Sequence, residues 1–196
     1  MNSIVDSKAA CLFLGLSLVL GGWLYIDTAS AQRSRLILEH PFIDAVRNGE
    51  LSVVREHIAR GDTPEVRDNT GKTPLMIATV AGDHDIAKAI IAATVKTDTK
   101  DNQGNTALAL AAIHDQPGIA QTLLDAGSSP NVQNRQGMTP LMLAAMKGRL
   151  TQVELMLHQN PDFTLRDYTG RSLMVWARQS RDKRVLRLLE MLSRND

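Results

Sequence analysis

A stretch of 33 residues recurs along this chain without insertion or deletion. Asp68 opens DNTGKTPLMIA, Asp101 opens DNQGNTALALA and Asn134 opens NRQGMTPLMLA, and Asp167 opens a looser fourth copy, DYTGRSLMVWA. Each copy holds glycine in its fourth place (Gly71, Gly104, Gly137, Gly170). Thr or Ser holds the sixth (Thr73, Thr106, Thr139, Ser172) and alanine the eleventh (Ala78, Ala111, Ala144, Ala177). A unit this short cannot bury its own apolar face. Its stable form is a stack in which each copy is covered by its neighbours.

The pattern within a copy has a local reading. Asp or Asn followed by Gly is turn chemistry, because glycine takes positive φ without a Cβ clash. The Thr hydroxyl can accept from free N–H groups at a helix start, and Pro74 and Pro140 suit the first helical position. Ala107 and Leu173 replace that proline and remain compatible with a helix. The small alanine lets two helices approach closely. A second apolar run follows in every copy: Ile86, Ile90 and Ile91; Ile119, Leu123 and Leu124; Val153, Met156 and Leu157; Val185, Leu188 and Leu189. Its i, i+4 spacing predicts an amphipathic second helix. Asp83, ahead of Ile86, is placed to cap one of these.

The period, the D-x-x-G-x-T-P-L-x-x-A pattern and the paired short helices resemble the ankyrin repeat. The resemblance covers about residues 35 to 196. It implies an all-α solenoid of about five helix-turn-helix repeats: 35–67 as a degenerate N-terminal cap, then 68–100, 101–133, 134–166, and a C-terminal cap at 167–196. In the first, Pro41-Phe42, Ala45, Gly49, Val53-Val54 and Gly61 fall on the family's positions, but the turn motif is missing. In the last, Arg and Lys alternate with Val185, Leu186, Leu188 and Leu189, as a water-facing outer helix would require.

The chain departs from the family's pattern in three ways. The usual Gly-His between the helices is Gly82-Asp83, Asp115-Gln116, Gly148-Arg149 and Arg181-Asp182. The usual His after T-P-L is Met76, Ala109 and Met142, so a hydrogen-bond network that normally stiffens the stack is weakened. At the end of the second helix, where a left-handed glycine cap is common, Gly61 and Gly127 are kept. Asn160 tolerates that conformation, whereas Thr94 does not readily adopt it, so the junction after it is expected to be looser.

Residues 9 to 26 form an uncharged apolar run, preceded by Lys8 with Asp6 and followed by Asp27 and the small residues Ala29 and Ala31. This reads as a signal peptide over residues 1–31 with cleavage after Ala31, or as an uncleaved N-terminal anchor. Residues 32–196 form the repeat domain. Either reading places them outside the cytoplasm, periplasmic or secreted, with membrane attachment only if the segment is retained. The single cysteine, Cys11, lies in the apolar run, so the rest carries no thiol that could mispair in an oxidising compartment.

Several function classes are disfavoured. Beyond residue 31 there are 21 basic and 19 acidic residues, and only 4% of the whole chain is aromatic, so neither long-range charge nor stacking platforms point to nucleic acid. The histidines (His40, His57, His84, His114, His158) have no zinc spacing. No catalytic or phosphate-binding motif is present. Asp83-His84-Asp85 reads as a helix start rather than a reactive trio. The expectation is a non-catalytic protein with no cofactor or metal.

What the resemblance implies is a monomeric protein-binding module, accessory to a periplasmic or secreted enzyme, as in peroxide defence, or neutralising a toxin. In the family, partners touch the hairpin tips and the inner side of the first helices. Carried over, these are Asn69, Thr70 and Lys72; Asn102, Gln103 and Asn105; His114; Arg135, Gln136 and Met138; Met146 and Lys147; Tyr168 and Arg171. The half with Met138, Tyr168 and Arg171 is the expected energetic centre, since Met, Arg and aromatic side chains are enriched at interfaces. A second reading makes Met138, Met142 and Met146, spaced by four, a soft-metal or redox stripe. Met138 would then fall in the turn before the helix, which interrupts the stripe.

Overall fold

A computed structural model describes residues 40–94 and 96–193. The proposed signal or anchor at 1–31, with Cys11, Ala29 and Ala31, lies outside the described residues, as do the outermost residues of the expected repeat domain. Among the described residues there are ten helices and no strand; the only ladder contact is an isolated bridge between Arg166 and Ser172.

The helices come in five pairs. They are α1 (Pro41–Arg47) with α2 (Leu51–Ala59), α3 (Pro74–Ala81) with α4 (His84–Ala93), α5 (Ala107–His114) with α6 (Pro117–Asp125), α7 (Pro140–Lys147) with α8 (Leu150–Leu157), and α9 (Leu173–Gln179) with α10 (Lys183–Leu192). First helices pack on first helices and second helices on second helices, so the fold is an all-α repeat solenoid of two helical layers. No helix among the described residues is long and apolar enough to cross a membrane.

The capping chemistry follows the sequence. The hydroxyls of Thr73, Thr106 and Thr139 accept from the N–H groups of Met76, Ala109 and Met142. Ser172 makes no such bond. Asp83 Oδ1 accepts from Ile86 N–H at 3.0 Å, as expected of a cap. Ala45, Ala78, Ala111, Ala144 and Ala177 are all buried between the layers. From the second layer Val54, Ile86, Ile90, Ile119, Leu123, Val153, Met156, Val185 and Leu189 complete the core. In the first pair the Phe42 ring stacks on His57 with centroids 5.3 Å apart, and His57 Nδ1 lies 2.6 Å from Asp62 Oδ2.

The end of each second helix shows what a missing glycine does. Gly61 and Gly127 turn left-handed, with φ of 81° and 85°, and Asn160 does the same at 49°. Thr94 stays extended at φ −109°, so this helix leaves by a different backbone path. At the turn between helices, Asp115 takes φ 59° where Gly82 and Gly148 stand in neighbouring pairs. Its carboxylate accepts from Arg149 Nη1 at 2.7 Å.

Two left-handed glycines separate backbone preference from packing. A Cβ on Gly137 would sit 2.5 Å from Tyr168 N, whereas a Cβ on Gly127 meets nothing within 4 Å. Gly127→Ala should therefore cost about 1–2 kcal/mol, the left-handed penalty alone. Gly137→Ala should cost clearly more, about 3 kcal/mol, because it also pushes neighbouring hairpins apart. Urea unfolding of both variants checks this; equal losses would contradict the packing role of Gly137.

Candidate partner-binding surface

Each hairpin tip is organised by the first residue of its copy. Asp68 Oδ1 accepts from Thr70 N–H, Thr70 Oγ1 and Lys72 N–H at 2.7–2.9 Å. Asp101 accepts from the N–H groups of Gln103 and Asn105, Asn134 from those of Gln136 and Met138, and Asp167 from those of Thr169 and Arg171. Successive tips are joined through the backbone: Asn102 N–H donates to Thr70 O, Arg135 N–H to Gln103 O and Tyr168 N–H to Gln136 O, at 3.0–3.1 Å. One residue earlier, Arg67 donates to Lys100 O, Lys100 to Gln133 O and Gln133 to Arg166 O. This side-chain ladder shares the period of the repeat.

Most of the expected contact residues are accessible. Asn69, Thr70, Asn102, Gln103, His114, Arg135, Gln136, Lys147, Tyr168 and Arg171 are exposed, and Lys72 and Met146 are half-buried. Two are not. Asn105 and Met138, expected on the exposed tips, are only 4% accessible. Asn105 Oδ1 accepts from Asn134 Nδ2 at 2.9 Å, which turns it into the stack, and Met138 joins the apolar core. The methionine stripe fails with it: Met138 lies outside α7, Met138 and Met142 are core residues, and only Met146 reaches the surface.

Missing from the sequence reading is Trp176, whose ring lies 4.9 Å below the Arg171 guanidinium. Its position in the copy is that of Ile77, Leu110 and Leu143, all core residues, and this apolar pattern hid it. Its Nε1 is buried without a partner. Tyr168, 72% accessible, sits over Gly137, so Arg135, Gln136, Tyr168, Arg171 and Trp176 form one rigid aromatic and cationic patch.

Asp83, His84 and Asp85 are not organised in a comparable way. Asp83 caps α4, His84 Nε2 contacts Thr122 Oγ1 and Asp85 is exposed, so the three do not converge. They border an open depression of about 630 Å³ with Arg47, Asn48 and Gly49. Among the described residues no group of three His, Cys, Asp or Glu side chains could hold a metal ion.

A family model described as ankyrin repeats (3 copies) matches residues 42–134 and 118–193. The chain belongs to the ankyrin-repeat family. Members of this family are generally interaction modules rather than enzymes, and the ankyrin chain is accordingly a protein–protein interaction module. No curated protein matches the chain in sequence.

The carboxylates of the ankyrin stack give it a pH dependence. Burial raises Asp68 and Asp167, but hydrogen bonds from Thr70 and Lys72, and from Thr169 and Arg171, outweigh it and leave both below the usual carboxylate range. Hydrogen bonds from Thr164 lower Asp162, and the Arg184 side chain holds Asp182 down to about 2. These four contribute stability that is fully present above the ordinary value of 3.8 and is lost as pH falls through the folded values. Asp98 is the opposite case. Burial raises it, against one N–H bond from Ser129, so its contribution is lost as pH rises through the folded value. Asn131 stands at the same place one copy later and accepts from Asp162 N–H at 2.8 Å through its amide oxygen. Asp98→Asn should therefore stabilise the protein at neutral pH, by up to about 0.5 kcal/mol, and the gain should shrink in acid. Thermal melts at neutral and acidic pH check it; a loss at neutral pH would contradict the burial argument.

Proposed function

We propose that this ankyrin chain works outside the cytoplasm as a non-catalytic, monomeric adaptor that binds a second protein through its tips and first helices. The observation that carries this reading is the patch of Arg135, Gln136, Tyr168, Arg171 and Trp176. It combines an exposed tyrosine with an arginine stacked on tryptophan, the residue types that dominate interface energetics. The backbone ladder beneath it fixes the hairpins that carry those side chains before any partner arrives, which reduces the ordering cost of binding.

The location is supported by the apolar run at 9–26, the Ala29-x-Ala31 site and the lack of cysteine after Cys11. Service as an accessory to a periplasmic or secreted enzyme, in peroxide defence, or as a toxin-neutralising protein agrees with this location and with a rigid preformed surface.

Two measurements test the proposal. Replacing Ala31 with Leu should block processing and raise the apparent mass by about thirty residues' worth. Unchanged mass with membrane association in both forms identifies an anchor instead. A photo-crosslinker placed at Tyr168 should capture one protein from the native extracellular or periplasmic fraction, and one placed at Arg55 on α2 should not. Arg171→Ala should weaken that capture about thirtyfold, as loss of an interface anchor worth about 2 kcal/mol does. Capture from position 55 alone would refute the assignment of the face.

A further inference from the structure

The near-zero net charge of the chain conceals an uneven distribution of exposed charge. The tips and first helices of the last four pairs (68–81, 101–114, 134–147 and 167–179) contain five cations: Lys72, Arg135, Lys147, Arg171 and Arg178. They contain three carboxylates, those of Asp68, Asp101 and Asp167. All three are buried, the Asp68 side chain at 4% accessibility, and each is occupied by N–H groups of its own hairpin. The charge that the tips and first helices of these four pairs show to solvent is therefore positive, whereas α1 adds the exposed Asp44.

The ion pairs lie mostly away from these tips and first helices. Arg60 with Glu56, Arg149 with Asp115, Arg184 with Asp182 and His57 with Asp62 all lie on second helices or the turns beside them. The remaining pair, Arg47 with Asp68, ties the first pair to the next tip. Arg135, Lys147, Arg171 and Arg178 take part in none among the described residues. Lys72 and Arg171 do act through space on the buried Asp68 and Asp167. First helices are covered by second helices on one side and by neighbours on two others, so their exposed ends, such as Lys147, share the remaining side.

We infer that the partner presents an acidic protein surface, a cluster of Asp and Glu side chains around a contact for Tyr168. The cations supply what such a surface lacks, and four of the five, Arg135, Lys147, Arg171 and Arg178, fall in the two adjacent last copies. None of Arg135, Lys147, Arg171 and Arg178 must first be released from an ion pair among the described residues, and their common sign repels a basic protein. This rests on the adaptor reading above and adds the chemistry of the partner.

The test uses the full chain and labelled glutamate-rich, glutamine-rich and lysine-rich peptides of equal length, each carrying one central Leu, followed by fluorescence anisotropy. The glutamate-rich probe should bind at low salt and weaken at about 0.15 M salt, where screening reaches about 8 Å. Charge reversal in R135E/K147E/R171E should reduce its affinity at least about tenfold. R135Q/K147Q/R171Q should give a smaller loss in the same direction, and R55E/K88E/R187E on the second layer should give almost none. Circular dichroism confirms that each variant is folded. Equal affinity for the three peptides, or equal loss in the second-layer variant, overturns the inference. So does binding of heparin or duplex DNA as tight as that of the glutamate probe, since that marks a general polyanion site. Capture of a protein from position 168 that persists in R135E/K147E/R171E overturns the acidic partner while leaving the adaptor reading intact; no capture from position 168 removes the adaptor reading itself.

Discussion

The structure turns on one carboxylate or amide oxygen per copy. The Oδ1 atom of Asp68, Asp101, Asn134 and Asp167 accepts two backbone N–H groups of its own hairpin, which fixes the loop so that its backbone can bond to the next tip. Each such bond contributes only about 1 kcal/mol net. A buried Ile or Leu contributes about 1.5–3 kcal/mol, and every pair has several. The core therefore supplies stability, and the tips supply register. Apolar layers alone would permit one helix pair to slide or rotate against the next; an N–H group 3.0 Å from a carbonyl one copy away does not.

Register explains the surface. The carboxylate that orders a hairpin is used up inside it, so an acidic residue in every copy except Asn134 leaves no negative charge outside. The outward positions of the same loops then decide the face, and here they hold Lys72, Arg135 and Arg171 beside amides. The charge of this face is thus a by-product of how the turns are made. Glu56, Asp115 and Asp182 stand instead on second helices or in the turns beside them, each paired with a local arginine.

Much of this was legible in the sequence because the repeat carries the same instruction several times. The Thr caps, the buried alanines, the second helices and the cap at Asp83 all follow from local chemistry, and Asn160 took the left-handed turn expected of it. What was lost depends on contacts between copies. Asn105 is polar and stands in a tip, yet Asn134 of the next copy draws it inward. Met138 occupies the position of the exposed Arg171, and its apolar side chain goes into the core instead. Asp115 in a left-handed turn has no signal in its own segment; its ion pair with Arg149 lies one copy away. Tip composition shows which residues stand at the hairpins, but burial within the tip requires the neighbour.

The aromatic patch lies in a terminal pair of the described stack. In a repeat array stability comes from each unit and its contacts with neighbours. Among the described residues the α9–α10 pair has a neighbour on one side only. Ser172 provides no side-chain cap, α9 has 7 residues, and Phe163, Met191 and Leu192 remain largely accessible close to it. Arg171 and Trp176 belong to this pair, so their geometry relies on the tip bond from Tyr168 to Gln136 and on the stacking between them. A partner that covers Tyr168 adds the missing contacts on the exposed side of the tip. A partner bound there would also steady the last pair, and whatever loosens that pair would lower the fraction of molecules with the patch assembled.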